Sequence, residues 1–270
     1  MTLVAPGVRD VLVLGAGFTG AAVARRARAS GLGVCCTVRS ETRRAALESE
    51  GFRVVVQPEL DAGIAAYVTP ETHVVVAYPP DGVTCARVAP ACAQAHSIAY
   101  VSTVGVYGEH RGPVDDTTPL PSTPSERARR VLDAEATWRS VGATVLRAPG
   151  IYGPGRGLHV RVVSGAHKIP GHGTRYLSRI HVEDLATLAL AASRVRGETY
   201  VVGDLEPAPH GEVVRFIAEE YAVPMPPCVP LDEVHETLRA DRRVDPSRAL
   251  HDLGVSLVFP SYRVGMKRTT

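Results

Sequence analysis

One stretch of about thirty residues constrains this chain more than any other. Val11-Leu12-Val13-Leu14 is a short apolar run, and Gly15-Ala16-Gly17-Phe18-Thr19-Gly20 follows at once. An Ala/Arg-rich stretch of helical character then runs to Ser30-Gly31, and a second apolar run, Val34 to Val38, ends in Arg39. Strand, glycine turn, helix and second strand, in that order, is the context in which a G-x-G-x-x-G pattern has physical meaning. Gly15 lets the chain turn sharply off the strand. Gly17 lacks the β-carbon that would block a diphosphate, and Gly20 lets the helix lie close to the sheet. The helix start, at Phe18 and Thr19, offers free N–H groups and the positive end of its dipole to phosphate. The bland alternative is a tight strand–helix turn that holds no ligand.

The end of the second strand selects between two dinucleotides. An Asp or Glu there, about twenty residues past the glycines, would accept from a ribose 2′-hydroxyl. This chain has Arg39 and Ser40 instead, with Arg43 and Arg44 just beyond. A carboxylate would repel a 2′-phosphate, whereas a guanidinium binds it through two parallel hydrogen bonds. The expectation is NADP(H) in preference to NAD(H), held by Gly15, Gly17, Phe18, Thr19, Gly20, Arg39, Ser40 and Arg43. The competing reading makes these arginines solvated surface charge.

Composition excludes several other classes. The chain has 270 residues, 45% of them hydrophobic, a mean hydropathy of +0.02 and a formal net charge of +2. That length can bury a full core, and the small net charge gives no electrostatic footprint for nucleic acid. No run approaches the ~20 apolar residues of a membrane span. Met1 to Asp10 reads as too short and mixed for a secretion signal. Cys35, Cys36, Cys85, Cys92 and Cys228 form no C-x-x-C or Cys/His zinc spacing, so no metal site is expected. An odd cysteine count, with two in a predicted buried strand, suits a reducing cytoplasm.

Strand and helix signals alternate along the chain. Arg53–Val56 and His73–Ala77 read as strands, Val83–Ala95 as a helix and Ile98–Ser102 as a strand. Ser125–Ser140 reads as a helix with Ser125 as N-cap, and Ala143–Arg147 as a strand. Ile180–Arg194 holds a strand end leading into an Ala/Leu helix, and Thr199–Val202 is a further strand. Continuous apolar strands separated by helices predict an α/β fold with a doubly wound parallel sheet covered on both faces. After about residue 203 the composition shifts. Pro207 to Pro230 is proline-rich around one helix-like piece, Glu212–Tyr221, and Asp232–Ala240 and Pro246–Leu253 read as short helices. The expected organisation is a dinucleotide-binding domain over 1–158 and a small C-terminal substrate cap over most of 159–270, with strand 199–202 returning to the main sheet. The cap would sit over the carboxyl ends of the strands, where such sheets bind ligands.

Five segments in order resemble the short-chain dehydrogenase/reductase superfamily, in its extended or atypical branch of NAD(P)-dependent epimerases and dehydratases built on a Rossmann fold. They are Gly15–Gly20; Val101-Ser102-Thr103-Val104-Gly105-Val106-Tyr107-Gly108; Leu146 through Gly155, which contains Pro149-Gly150-Ile151-Tyr152-Gly153-Pro154; Ser178-Arg179-Ile180-His181-Val182-Glu183-Asp184-Leu185-Ala186; and Arg242 through Arg248 with Leu253-Gly254. The resemblance covers nearly the whole chain. It places Thr103 at the family's catalytic Ser/Thr position, Tyr78 and Pro79 beside the cofactor, and Pro149 and Ile151 near the nicotinamide. His181 falls in a segment that mainly orients the cap. Arg156 and Arg243 are candidates for an anionic small-molecule substrate, and many such proteins are homodimers through helices equivalent to Val83–Ala95 and Ser125–Ser140.

One departure limits what the resemblance implies. The family's Tyr-x-x-x-Lys pair is missing: Ser125 through Glu135 holds neither residue, and no tyrosine anywhere is followed four residues later by lysine. Arginine is a poor substitute, because it stays charged and relays no proton. Tyr107–Arg111 and Tyr152–Arg156 have the spacing but fall in predicted loops, so the one-face argument for a helix does not apply to them. Tyr107, four residues beyond Thr103, is the best remaining proton donor by position, with Ser125 and Glu126 weaker. The readings are an NADP(H)-dependent oxidoreductase or epimerase-like enzyme with an atypical site, a non-catalytic NADP(H)-binding sensor or regulatory protein, and a scaffold with a vestigial site.

Overall fold

The computed structural model describes residues 3–234, 239 and 241–268. Seven parallel strands form the central sheet: β1 (Asp10–Leu14), β2 (Gly33–Val38), β3 (Arg53–Val56), β4 (Thr72–Val76), β5 (Ser97–Thr103), β6 (Thr144–Ala148) and β7 (Thr199–Val201). Their order is β3-β2-β1-β4-β5-β6-β7. The winding therefore reverses between β1 and β4, which opens a crevice at the carboxyl ends of those two strands. Among the described residues nine α-helices follow in chain order: α1 (Phe18–Ala29), α2 (Glu41–Glu48), α3 (Thr84–Val88), α4 (Glu126–Ser140), α5 (Leu158–Val163), α6 (Val182–Ala191), α7 (His210–Tyr221), α8 (Ser247–Leu253) and α9 (Tyr262–Gly265).

The sheet is buried on both faces, which is why its strands read as unbroken apolar runs. Val11 and Val13 of β1 join a core with Ala24 of α1, Leu185 of α6 and Leu253 of α8. Leu12 and Leu14 point the other way, into a core with Ile64, Tyr100 and Trp138 of α4. Successive residues of one strand thus serve different layers. Small side chains on α1, among them Ala21, Ala24 and Ala27, let α6 pack across it.

A smaller core lies to one side. Tyr152, Val162, Ile169, Val213, Ile217, Tyr262 and Met266 pack together from α5, α7, α9 and short two-stranded ladders. The chain enters this part after β6. It returns to the main layer for α6, whose Leu185, Leu188 and Leu190 are fully buried, as well as for β7 and α8. α6 finds its cover beside α1, against α8 and the strands β4 and β5.

Two sequence expectations change. Val83–Ala95 is not one helix but α3 followed by a 3₁₀ segment, Ala89–Cys92. Pro90 has no N–H to continue the α-ladder, and its ring crowds the preceding turn. The expected helix over Asp232–Ala240 lies mostly outside the described residues, and Leu231–Glu233 is a 3₁₀ turn. Among the described residues no helix is long and apolar enough to cross a membrane, and no three His, Cys, Asp or Glu side chains group as a metal-ligand set.

Four histidines are built into these cores. His73 on β4 makes 2.8 Å and 2.9 Å hydrogen bonds to Ser97 Oγ and the Ala189 carbonyl, tying β4 to α6. The carbonyl can only accept, so Nε2 carries the proton. His167 and His210 share one hydrogen bond at 2.9 Å between their Nε2 atoms, so one donates and the other accepts. His181 is 3% exposed. Burial lowers His73, His167 and His181 to about 4 and His210 to about 3. Asp204 is shifted the other way, up to about 7 by burial.

These shifts set the acid limit of the fold. Below the ordinary histidine value of about 6.5, the unfolded chain takes up protons that the folded chain refuses. Stability from the four histidines is therefore complete above that value and is lost as pH falls toward their folded values. Asp204 opposes one of the four, so unfolding near pH 5 still takes up protons and stability falls more steeply as pH drops. Urea titrations at pH 7, 6 and 5 are expected to show this steepening, and a constant unfolding free energy across that range would contradict it. In the same core a β-carbon on Gly20 would run into the Gly15 carbonyl oxygen and lie 2.9 Å from Val13 Cγ1. Gly20→Ala is expected to cost about 1–3 kcal/mol in the same assay; an unchanged midpoint would contradict it.

Candidate functional site

The glycine turn between β1 and α1 is held from several sides. Gly15 has φ +89°, a conformation that other residues rarely adopt, and a β-carbon there would sit 2.9 Å from Tyr78 Cβ. Its N–H donates to Thr37 Oγ1 at 3.0 Å, and Ala16 N–H donates to the Thr37 carbonyl at 2.9 Å. Arg43 completes the brace: Nε donates to the Ala16 carbonyl at 3.0 Å and Nη2 to the Gly17 carbonyl at 3.2 Å. Gly17 itself faces open space, with nothing within 4 Å of where its β-carbon would be.

Open space at Gly17 coincides with an uncapped helix. No side chain caps α1, whereas Ser40 caps α2 by accepting from Arg43 N–H and Ser125 caps α4 by accepting from Ala128 N–H. The first-turn N–H groups of a helix need partners, and at α1 they front the gap left by Gly17. A small cradle with unclaimed donors at a positive helix end fits a diphosphate. A groove of about 490 Å³ crosses the first turns of α1, lined by Phe18, Arg26, Arg43, Pro154, Val182 and Val258.

The cationic residues beside this turn have distinct surroundings. Arg39, just past β2, is exposed and has no hydrogen-bond or ion-pair partner among the described residues. Arg44 is turned to Glu41 at 2.8 Å and Glu48 at 3.8 Å along α2. Arg156 holds its guanidinium 5.1 Å over the Phe18 ring, which places it at the start of α1. Arg243 lies elsewhere, 4.0 Å over Tyr176, on the strand Asp241–Val244 that pairs with Arg111–Val114. The two arginines that the sequence grouped as substrate contacts thus rest on different rings, Arg156 on Phe18 and Arg243 on Tyr176.

The remaining walls follow from strand ends. Tyr78, beyond β4, abuts Gly15, and burial beside Cys85 raises its phenol; Pro79 continues that wall. Pro149 is buried beyond β6, and Ile151 is fixed opposite Ile180 in a short parallel ladder of Gly150–Tyr152 with Arg179–His181. His181 caps α6 through Nδ1, which accepts from Glu183 N–H at 3.3 Å, and it stacks 3.6 Å from Phe259. The neighbouring Asp184 accepts from the N–H groups of Val258 and Phe259 at 2.8 and 2.9 Å, pinning the C-terminal segment to α6.

At the end of β5, Thr103 is half-buried and caps the 3₁₀ turn Val104–Tyr107 by accepting from Gly105 N–H at 3.0 Å. Its own O–H remains available to donate. Tyr107 is 1% exposed, accepts from Arg147 Nη1 at 3.0 Å and donates to the Asp115 carbonyl at 3.3 Å. Burial raises its pKa, with Arg147 opposing. That hydroxyl is held inside the core instead of fronting the crevice. The α4 face against this turn is apolar, carrying Ala128 and Val131, and Val131 packs with Val104 and Val106. Sequence reading missed three supports: Thr37 under the glycine turn, Glu135 and Arg147 under Thr103. Thr37 is the one hydroxyl in its strand and Arg147 the one charge in its own, and that is the only signal they offered.

Among solved structures, a functionally unknown conserved protein from Silicibacter pomeroyi DSS is similar to this chain, at 32% identity and a TM-score of 0.83, covering 96% of this chain and 97% of its own. MoeE5 in complex with UDP-glucose and NAD has a similar fold (22% identity, TM-score 0.77, 95% and 96% covered). So does human epimerase family protein SDR39U1 with NADPH (19% identity, TM-score 0.75, 96% and 98% covered). No curated protein sequence matches. The family model described as NAD dependent epimerase/dehydratase matches residues 11–203, from the first strand to just past β7. With the glycine cradle, the sheet order and that match in agreement, the chain belongs to the NAD dependent epimerase/dehydratase family.

Proposed function

We propose that the protein is an NADP(H)-dependent oxidoreductase or epimerase-like enzyme acting on an anionic small molecule. The observation that carries this is the open, uncapped α1 terminus at Gly17 beside an unpartnered Arg39. Gly15, Gly17, Phe18, Thr19 and Gly20 would hold the diphosphate. Arg39, with Ser40 and the braced Arg43, would hold a 2′-phosphate, as the absence of a carboxylate at that strand end supports. Tyr78, Pro79, Pro149 and Ile151 would flank the bound group, whose nicotinamide supplies hydride chemistry. Arg156 and Arg243 are the proposed anion contacts. The neighbours include one protein bound to NAD and one bound to NADPH, so the phosphate preference rests on this chain's own arginines. Five unpaired cysteines support a reducing, cytoplasmic setting.

Thr103 is the proposed catalytic group, donating a hydrogen bond to the reacting oxygen. No tyrosine–lysine pair stands on the α4 face beside it, and the proton that completes a carbonyl reduction comes from solvent or from the substrate. The apolar face at Ala128 and Val131 also favours a second reading, a non-catalytic NADP(H) sensor.

Three measurements separate these readings. In calorimetric titrations NADPH is expected to bind at least about tenfold tighter than NADH, and Arg39→Ala to erase the difference; equal or tighter NADH binding would contradict the phosphate reading. Gly17→Ala is expected to leave the melting temperature nearly unchanged, a cap change of about 1 kcal/mol or less, while NADPH affinity drops. Retained affinity would move the diphosphate away from α1. Across a carbonyl, imine and nucleotide-sugar panel, Thr103→Val is expected to slow any turnover by about a hundredfold, while the lost cap to Gly105 N–H lowers stability by only about 1 kcal/mol. No turnover in the parent protein, with NADPH bound, would select the sensor.

A further inference from the structure

A buried ion pair grips both ends of the turn that carries Thr103. Glu135 of α4 has no exposed surface and Arg147 of β6 is 6% exposed. Arg147 Nε donates to Glu135 Oε1 at 3.0 Å and Nη2 to Oε2 at 2.7 Å, a bidentate arrangement that fixes distance and plane together. Ser102, immediately before Thr103, donates to Glu135 Oε1 at 2.6 Å. Tyr107, the last residue of the turn, receives Arg147 Nη1 at 3.0 Å. Arg139 extends the network, reaching Glu135 Oε2 at 3.5 Å and Thr199 Oγ1 of β7 at 3.2 Å.

The arrangement ties three elements and a loop to one short segment: α4 and β6 through the pair itself, β7 through Arg139, and the loop carbonyl of Asp115 through Tyr107. Buried ion pairs are weak sources of stability, because desolvation offsets their attraction. What this pair gives is rigidity at a chosen place. Val104 and Val106 pack without directional preference against Val114, Val131, Val201 and Val244, so the orientation of the Thr103–Tyr107 segment comes from its polar tethers.

We infer that the Glu135–Arg147 pair is a positioning device which, through Ser102 and Tyr107, sets the direction in which the Thr103 hydroxyl donates. The inference rests on the nucleotide reading above for what lies opposite Thr103, but not for the grip itself. Glu135, Arg147, Ser102 and Tyr107 are thus positioning residues, and only Thr103 is assigned to the reacting atoms.

The test removes the two tethers and keeps the pair. Ser102→Ala with Tyr107→Phe deletes one hydroxyl each and adds no volume. Amide hydrogen exchange at Val104, Gly105 and Val106 is expected to rise at least about tenfold. NADPH affinity should stay within about threefold, because the diphosphate contacts lie on the other side of the crevice. The emission of bound NADPH, which reports the surroundings of the nicotinamide, should change in intensity or wavelength. Unchanged exchange in the turn would overturn the inference, and so would bound-NADPH emission identical to that of the parent. Should the double variant lose its folded circular dichroism, Tyr107→Phe alone carries the same readouts. If the parent binds no NADPH, the nucleotide reading fails, and the exchange result alone then decides whether the pair holds the turn.

Discussion

Everything at the functional end of this molecule depends on the contact between α1 and β1 at the glycine turn. Gly20 lets the helix approach so closely that a β-carbon would meet the Gly15 carbonyl, and Gly15 in turn sits against Tyr78 from the next strand in the sheet. Thr37 and Arg43 then fasten the loop's N–H and C=O groups from β2 and α2. The outcome is a helix terminus fixed in place with its donors unclaimed. Had a serine or aspartate stood at position 17, those donors would have an internal partner. The fold leaves them for a ligand.

Arg43 shows how a residue can serve this site in more than one way. Two of its nitrogens neutralise carbonyls of the turn, so its charge is delivered to the loop as part of the scaffold. Arg39 is the complement, a guanidinium left in solvent at the strand end. The same division recurs beyond β5. Glu135 and Arg147 consume each other and hold the backbone, while the Thr103 hydroxyl keeps a donor to offer. In both places charged groups tied to the backbone or to each other build geometry: the half-buried Arg43 at the glycine turn, and the buried Glu135 and Arg147 beyond β5.

Much of this was legible in the chain. Strand, glycine turn and helix were read correctly because the inner strands are buried on both faces and so carry a strong, continuous signal; the half-exposed edge strand Arg53–Val56 matched to the residue on its valine run. The interrupted helix after Thr84 was missed because Arg and the Ala on both sides favour a helix, while Pro90 removes an N–H in its middle. The pairing of Arg111–Val114 with Asp241–Val244 joins segments about 130 residues apart and leaves no periodic trace in so short a strand. Tyr107 looked like a proton donor from its spacing to Thr103. Whether it faces the crevice or the core is decided by Arg147 and Asp115, which are remote or featureless in sequence. His181 had the chemistry of an acid–base group. Its place at the start of α6, stacked on Phe259, makes it a neutral cap whose pKa is lowered to about 4.

A crystal structure of the complex with NADPH tests the central claim most directly. The account predicts the diphosphate over Gly17 at the start of α1, the 2′-phosphate beside Arg39, and the nicotinamide within reach of the Thr103 hydroxyl. A nucleotide seated away from α1, or one whose 2′-phosphate points into solvent away from Arg39, would contradict it.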